Sequence, residues 1–355
     1  MKRLNLAIIG QGRSGRDIHS VFLKSDANKY WTVKYIVDQD AERREKAQRE
    51  HEGCITLSHY TELFDKDVDL VVNASYSDMH FPITKDLLEH GKNVLVEKPL
   101  ARTRYECELL ERAAKENGVI LAAFQNTTRA PWCEHVRDIV QSGVLGEVMQ
   151  VSLRFNNYSR RWDWQMMQRK LGGNLYNMGP HAIGVAMEVL GYDSDVKVAY
   201  SRLALAHSSG DAEDYVKFLL TAEGKPLVDI EINYTDAYAN YNVKIQGSRG
   251  AFKGTTTGYE YKYYTDEENP PKALIIESMK KDNGAPDSCR ETLIWHEEKG
   301  EYAGTAFDIG TRNIYEDIYF AITEGKPLVV TPAMAKAIVT VMERVHAENP
   351  MEMKY

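Results

Sequence analysis

Apolar positions along this chain follow two regimes. From residue 4 to about residue 124, short apolar runs alternate with helical stretches. A strand over 4–9 precedes a helix with Ile18, Val21 and Phe22 on one face, and a second strand covers 32–37. Strand 69–73 is followed by helix 79–90, strand 93–96 by helix 103–117, and a last strand covers 119–124. Continuous apolar strands between amphipathic helices predict a parallel sheet covered on both faces. Gly91 and Gly118 stand just past two of these helices, where a left-handed cap favours glycine.

Beyond residue 124 the pattern changes. A helix over 131–142 leads through Gly143 and Gly146 to alternating segments at 148–155, 196–205, 215–221, 227–234 and 242–246. Alternation of this kind predicts an antiparallel sheet with one face in the core. Helices over 311–323 and 333–346 close the chain, the second with Ala337, Ile338, Val341, Met342 and Val345 as a core stripe. Between Gly254 and Gly304 lies a polar stretch rich in tyrosine, readable as an edge strand and loop, an oligomer contact or a substrate lid. Asp211, Glu213 and Asp214 read as a solvated turn before a strand.

The first strand ends in Gly10-Gln11-Gly12-Arg13-Ser14-Gly15, a GxGxxG loop opening a helix. Gly10 permits the tight turn, Gly12 lets the backbone approach a pyrophosphate, and Gly15 lets helix pack on strand. The helix N-terminus beyond Arg13 and Ser14 then faces the anion. Asp38, at the end of the second strand, stands where an acid binds the adenosine ribose hydroxyls. A carboxylate there repels a 2′-phosphate, so NAD is expected in preference to NADP. Arg43 and Arg44 lie close enough in sequence to meet a phosphate, but they fit the solvated face of a charged helix better.

Composition narrows the class. The chain has 355 residues, 43% hydrophobic and 27% charged, with a formal net charge of −8, which suits a two-domain soluble enzyme. A mildly acidic balance attracts neither nucleic acid nor an anionic membrane, and no apolar run reaches membrane-spanning length. The first apolar stretch stops at the glycine loop without a cleavage site, so it is a strand and not a secretion signal. Four scattered cysteines and ten histidines form no metal-ligand spacing, and free thiols in a reducing cytoplasm are expected.

After the strand at 93–96 comes Glu97-Lys98-Pro99, and further on Gly172-Gly173-Asn174-Leu175-Tyr176-Asn177-Met178-Gly179-Pro180-His181. With the glycine loop and Asp38, in this order, these motifs resemble the Gfo/Idh/MocA family of sugar, polyol and inositol dehydrogenases. The ending Gly325-Lys326-Pro327-Leu328, then Thr331-Pro332, is also similar to that family. The resemblance spans nearly the whole chain. It implies an α/β protein with a doubly wound Rossmann domain over 1–124. An α+β domain over 125–355 follows, with an open, mainly antiparallel sheet that supports a homodimer or homotetramer. By position it makes Lys98 the active-site lysine and His181 the catalytic histidine, while Asn177 stands where many members carry Asp. It also implies that Ser75, His80, Glu97 and Lys98 contact the cofactor, the lysine facing the nicotinamide ring, and that the Lys98–Pro99 bond is cis; for His80, helix capping is the alternative.

The chemistry these residues suit is alcohol oxidation. A neutral imidazole at His181 accepts the hydroxyl proton, and Lys98, behind Glu97, stabilises developing alkoxide or shares the proton transfer. Gln125 and Asn126 end a strand beside the expected nicotinamide site. Asn177 offers a sugar both a donor and an acceptor. Arg161, Asp163 and Trp164 offer hydroxyl hydrogen bonds and ring stacking, or else form a structured loop with a salt bridge. The expected activity is NAD-dependent hydride transfer from a secondary hydroxyl of a sugar, glycoside or cyclic polyol. The alternatives are an NAD-dependent glycosidase working by transient oxidation and elimination, and a catalytically silent NAD-binding regulator.

Overall fold

A computed structural model describes residues 2–355. The chain runs β1 (Leu4–Ile9), α1 (Val21–Lys24), β2 (Trp31–Val37), α2 (Ala41–Glu50), β3 (Ile55–Leu57), β4 (Leu70–Asn73), α3 (His80–Glu89), β5 (Val94–Val96), α4 (Arg104–Glu116) and β6 (Leu121–Ala123). These strands form one parallel sheet in the order β3-β2-β1-β4-β5-β6. Strand order reverses direction between β1 and β4, and a crevice opens there at the carboxyl ends of the strands. Register fixes what lines it. Ile9 pairs with Asn73, Asn73 with Val96 and Val96 with Ala123, so Gly10, Ala74, Glu97 and Phe124 leave the sheet side by side.

The chain continues through α5 (Pro131–Ser142), β7 (Val148–Arg154), α6 (Asn174–Asn177), α7 (Gly179–Leu190), β8 (Lys197–Ala204), β9 (Tyr215–Thr221), β10 (Leu227–Asn233), β11 (Val243–Gly247), β12 (Gly250–Gly254), β13 (Gly258–Tyr263) and β14 (His296–Glu301). Helices α8 (Thr311–Glu324) and α9 (Pro332–Glu348) follow. The second sheet has the order β14-β13-β12-β11-β7-β10-β9-β8. It is antiparallel except where β10 runs parallel to β7. One face buries Val151, Leu153, Phe218, Ile230, Ile245 and Phe252. On the other, Arg154 and Lys217 bind Asp229.

Two features depart from the sequence reading. The tyrosine-rich stretch supplies not one edge strand but two further strands, β13 and β14, with an exposed loop between them. Residues 211–214 are not a solvated turn: Asp211, Glu213 and Asp214 are 2%, 2% and 0% exposed. Asp214 accepts hydrogen bonds from the backbone N–H groups of Ala206, His207 and Ser208 at 2.6, 3.0 and 2.8 Å. Asp211 accepts from those of Gln168 and Lys354 at 2.8 and 2.7 Å. Backbone amides replace water for these carboxylates, which a local run of acids does not reveal.

Candidate active site

The glycine loop has the geometry its spacing implies. Gly10 has φ +88°, and a Cβ there would strike the Ala74 carbonyl. A Cβ on Gly15 would run into the Gly10 carbonyl, whereas nothing lies within 4 Å of one on Gly12. Gly12 therefore presents open backbone of the kind a pyrophosphate needs. Arg13 and Ser14 lead into a π-helical segment, Ser14–Ser20, that continues as α1. A groove of about 380 Å³ beside the loop is lined by Gln11, Gly12, Arg13, Arg16 and Arg43, among others. Asp38 borders this region and also braces it, since its carboxylate accepts from Gln11 N at 2.7 Å and Asp40 N at 2.9 Å. Arg43 stands 3.7 Å from the same carboxylate.

At the crevice floor the Lys98–Pro99 bond is cis. His80 does not cap α3, whose cap position is Met79; its Nδ1 donates to the Pro99 carbonyl at 2.7 Å and so holds the turn after β5. Ser75 Oγ donates to Asn73 Oδ1 at 2.7 Å. Gln125 and Asn126 are both buried after β6, where Asn126 Nδ2 donates to the Ala306 carbonyl at 3.0 Å. Gln125 Oε1 is buried without a hydrogen-bond partner. An orphaned amide oxygen after β6, open glycine backbone after β1 and an acid after β2 fit a nicotinamide dinucleotide, whose carboxamide would bring the missing donor.

Lys98 Nζ donates to the Asn177 carbonyl at 2.7 Å and to Asn177 Oδ1 at 3.2 Å, joining the turn after β5 to helix α6. An ammonium has three donors, so one N–H is left for a ligand. Oδ1 of Asn177 thus has one of its two acceptor positions taken by Lys98, and its Nδ2 donates to the Tyr234 hydroxyl at 3.5 Å, which leaves one acceptor and one donor to meet a sugar. His181 lies one turn on, where Thr127 Oγ1 meets its Nδ1 at 2.7 Å and leaves Nε2 for substrate. Burial, reinforced by the charge of Lys98, pushes His181 down to about 3, so its imidazole is neutral at ordinary pH. Burial also lowers Lys98, with Arg13 and Arg161 acting in the same direction and Glu97 against it.

The segment that carries Asn177 and His181 is held by unusual backbone. Leu171 has φ +53°, and Gly173 has φ +96° and ψ 161°. A Cβ on Gly172 would lie 2.5 Å from the Gln165 carbonyl oxygen, and one on Gly173 would strike the Glu213 carboxylate. Glu213 in turn caps α6: its backbone carbonyl accepts from Asn174 N at 2.9 Å and its Oε1 from Leu175 N at 2.9 Å.

Arg161 and Asp163 bind each other, and Trp164 packs edge-on against Tyr76 with ring centroids 5.0 Å apart. Lys170 reaches Asp78 at 2.9 Å. These contacts draw residues 161–170 over the loop after β4, beside Lys98 rather than away from it. Thr127, Tyr76, Tyr234 and Glu213 have no local signature; only their positions in the fold bring them to the site. Among the described residues no cluster of His, Cys, Asp or Glu could hold a metal, and no helix is long and apolar enough to cross a membrane.

Comparison with known proteins agrees with this geometry. Residues 4–125 match the model of an oxidoreductase family with an NAD-binding Rossmann fold, and residues 133–253 match the GFO/IDH/MocA C-terminal domain. The chain is 26% identical over 349 residues to the Escherichia coli uncharacterized oxidoreductase YhhX, covering 96% of this chain and 95% of that one. It is 24% identical to the Bacillus subtilis scyllo-inositol 2-dehydrogenase (NADP(+)) IolW, over 61% of this chain and 59% of the relative. It is 26% identical to an Escherichia coli 2,7-anhydro-N-acetylneuraminate hydratase, over 70% and 67%. The crystal structure of GenD2 from gentamicin A biosynthesis, in complex with NAD, shares the fold with a TM-score of 0.78 at 22% identity, covering 98% of this chain and 95% of GenD2. An NAD-binding protein from Listeria innocua does so with a TM-score of 0.79 at 20% identity, covering 98% of each chain. Glycine loop, lysine turn and histidine helix, met in that order on this fold, are those of the Gfo/Idh/MocA family of oxidoreductases, to which the chain belongs.

Proposed function

We propose that the protein oxidises a secondary hydroxyl of a sugar, glycoside or cyclic polyol, with NAD as hydride acceptor. The observation that carries this reading is the bond of Lys98 Nζ to Asn177, one turn before His181, which sets a lysine with one N–H unspent near enough for its charge to act on a histidine held by Thr127. Gly10, Gly12, Arg13, Ser14, Gly15 and Asp38 would hold the dinucleotide, with Ser75, Gln125 and Asn126 nearer the nicotinamide. Held there, the nicotinamide would supply the hydride acceptor for the alcohol carbon. Lys98 donates its remaining N–H to the reacting oxygen and stabilises negative charge there. His181 Nε2 accepts the hydroxyl proton, and Thr127 orients the ring through Nδ1. Neutral His181 is in the right form for this, and its depressed basicity keeps it neutral until charge develops on the oxygen. The NH₂ of Asn177, the Arg161 and Asp163 pair and the Trp164 ring supply polar and stacking contacts suited to a hydroxylated ring. Glu97 and His80, both buried, hold the turn that carries Lys98 and stand with the residues expected to meet the dinucleotide.

The hydratase among the relatives favours a second reading, in which oxidation is transient and elimination follows, as in an NAD-dependent glycosidase. Asp38 supports NAD over NADP, and the cytoplasm as a homodimer or homotetramer is the setting this reading expects. Cyclic polyols, free sugars and glycosides incubated with NAD or NADP, followed by nicotinamide absorbance and product chromatography, test both readings. Net cofactor reduction is expected. Cleavage without net reduction would replace the first reading by the second, and tighter binding of NADP would overturn the cofactor assignment.

A further inference from the structure

Beneath Lys98 lies a buried chain of polar groups that no hydroxyl chemistry uses. The Tyr315 hydroxyl, from α8, meets His19 Nδ1 at 2.8 Å; His19 Nε2 meets Glu97 Oε1 at 3.2 Å; and Glu97 Oε2 accepts from Lys98 N at 3.0 Å. Tyr315 and His19 are fully buried and Glu97 is 4% exposed. Around them pack only rings and aliphatic groups: Phe124 lies 4.5 Å from the His19 ring and Phe22 stacks on Tyr315 at 4.9 Å. His19 sits in the π-helical segment Ser14–Ser20, a wide turn of the kind that re-aims a side chain.

Each partner has a reason to be there. A carboxylate in such surroundings is costly unless hydrogen-bonded. With its hydrogen on Nε2, the imidazole donates to Glu97 and accepts from Tyr315, whose hydroxyl burial keeps protonated. Burial works to raise Glu97, but the hydrogen bond from His19 and the charge of Lys98 outweigh it and hold the carboxyl below its ordinary range. The charged and titratable groups facing Lys98 are Glu97, Arg13, Arg161, His80 and His181, and among these Glu97 is the one that favours the ammonium.

We propose that His19 is a positioning residue for Lys98: clamped between Tyr315 and Glu97, it fixes the carboxylate that accepts from the Lys98 backbone N–H and so sets a negative charge beneath Lys98. The proposal rests on Lys98 meeting substrate, but its test needs none. Without His19 the buried Glu97 takes up a proton, and Lys98 loses the charge that opposes burial and its two arginine neighbours. The device also ties the ionisation of a crevice lysine to α8, more than two hundred residues away in sequence.

The experiment is competitive labelling of the full-length protein with trace acetic anhydride across pH, with acetylation of Lys98 quantified by peptide mass spectrometry. In His19→Leu the pH midpoint of Lys98 labelling should fall by about 1 unit or more, the usual effect of losing a close opposite charge. In Tyr315→Phe, which keeps the ring and removes only the hydroxyl, it should fall less. In His19→Gln, whose amide can donate to Glu97 and accept from Tyr315, it should stay nearer the native value. Circular dichroism checks folding, and if His19→Leu fails to fold, Tyr315→Phe and His19→Gln carry the test. A native midpoint in every folded substitution at His19 and Tyr315 overturns the proposal. So does an equal fall in Leu and Gln, which would make ring shape rather than the hydrogen bonds the cause. Neither outcome touches the assignment of hydride transfer, which the substrate screen decides.

Discussion

Replacing Gly173 by alanine should cost several kcal/mol of stability, and the structure separates the cost into two parts. Gly173 has φ +96° and ψ 161°, a region open almost only to glycine, where another residue carries about 1–3 kcal/mol of strain. The new Cβ would also lie 2.5 Å from Glu213 Cδ and 2.5 Å from Oε2, so the carboxyl must move. Moving it breaks the 2.9 Å bond from Leu175 N and leaves a buried donor unsatisfied, a further penalty of about 1–3 kcal/mol. Together these give roughly 2–6 kcal/mol, read as a lowered urea midpoint at unchanged slope. Glu213→Ala made in the Gly173→Ala background removes the collision but not the backbone strain. The double variant should therefore be less destabilised than the two single costs added together. A loss under about 1 kcal/mol for Gly173→Ala, or strict additivity in the cycle, would refute the packing argument.

Other expectations concern the site directly. Lys98→Ala and His181→Ala should each lower turnover on the order of a hundredfold or more while NAD titration stays near native; near-native turnover in folded His181→Ala removes it as the base. Asn177→Asp places a carboxylate against Lys98 Nζ, 3.2 Å from the present Oδ1, and should move the activity-pH profile upward by stabilising the charged forms of Lys98 and His181; an unmoved profile would show that the pair does not titrate in turnover. Glu213, raised by burial from 4.5 to about 7, makes the folded state hold a proton that the unfolded chain releases. Its contribution to stability is complete below about pH 4.5 and is lost as pH rises through 7, by roughly 3 kcal/mol. Denaturation at several pH values should show that slope shrink in Glu213→Gln, and an identical slope would contradict it.

The features that could be read along the chain are those with local periodicity or a fixed spacing. Parallel strands appear as short unbroken apolar runs, the second sheet as alternation, and the glycine loop and lysine turn as contiguous motifs. Thr127 was invisible because nothing in its neighbourhood announces a partner 54 positions away. His19 falls between the apolar positions Ile18, Val21 and Phe22, and its inward aim depends on the wide π-helical turn rather than on regular helical spacing. The motif at 172–181 shows Asn177 as a polar residue near the site, but its bond from Lys98, between the turn after β5 and helix α6, is a contact that no spacing encodes. The acids at 211–214 failed for the converse reason. Polar sequence signals a need for hydrogen bonds, and folded backbone can meet that need as well as water can.

Helix α8 gives the molecule an unusual order of assembly. Its Ile314, Tyr315, Ile318 and Tyr319 join Leu6, Ile8, Phe22 and Trp31 in one core, and Trp31 Nε1 donates to the Tyr315 carbonyl at 3.2 Å. The nucleotide-binding half is therefore roofed by residues made last. During synthesis its first sheet must wait, one apolar side bare, until nearly two hundred further positions have emerged, with Trp31 and Phe22 as adhesive surface in the interval. A fragment cut after Phe124 would keep that surface for good and should precipitate rather than bind dinucleotide, so cofactor affinity belongs to the finished chain and not to a detachable module.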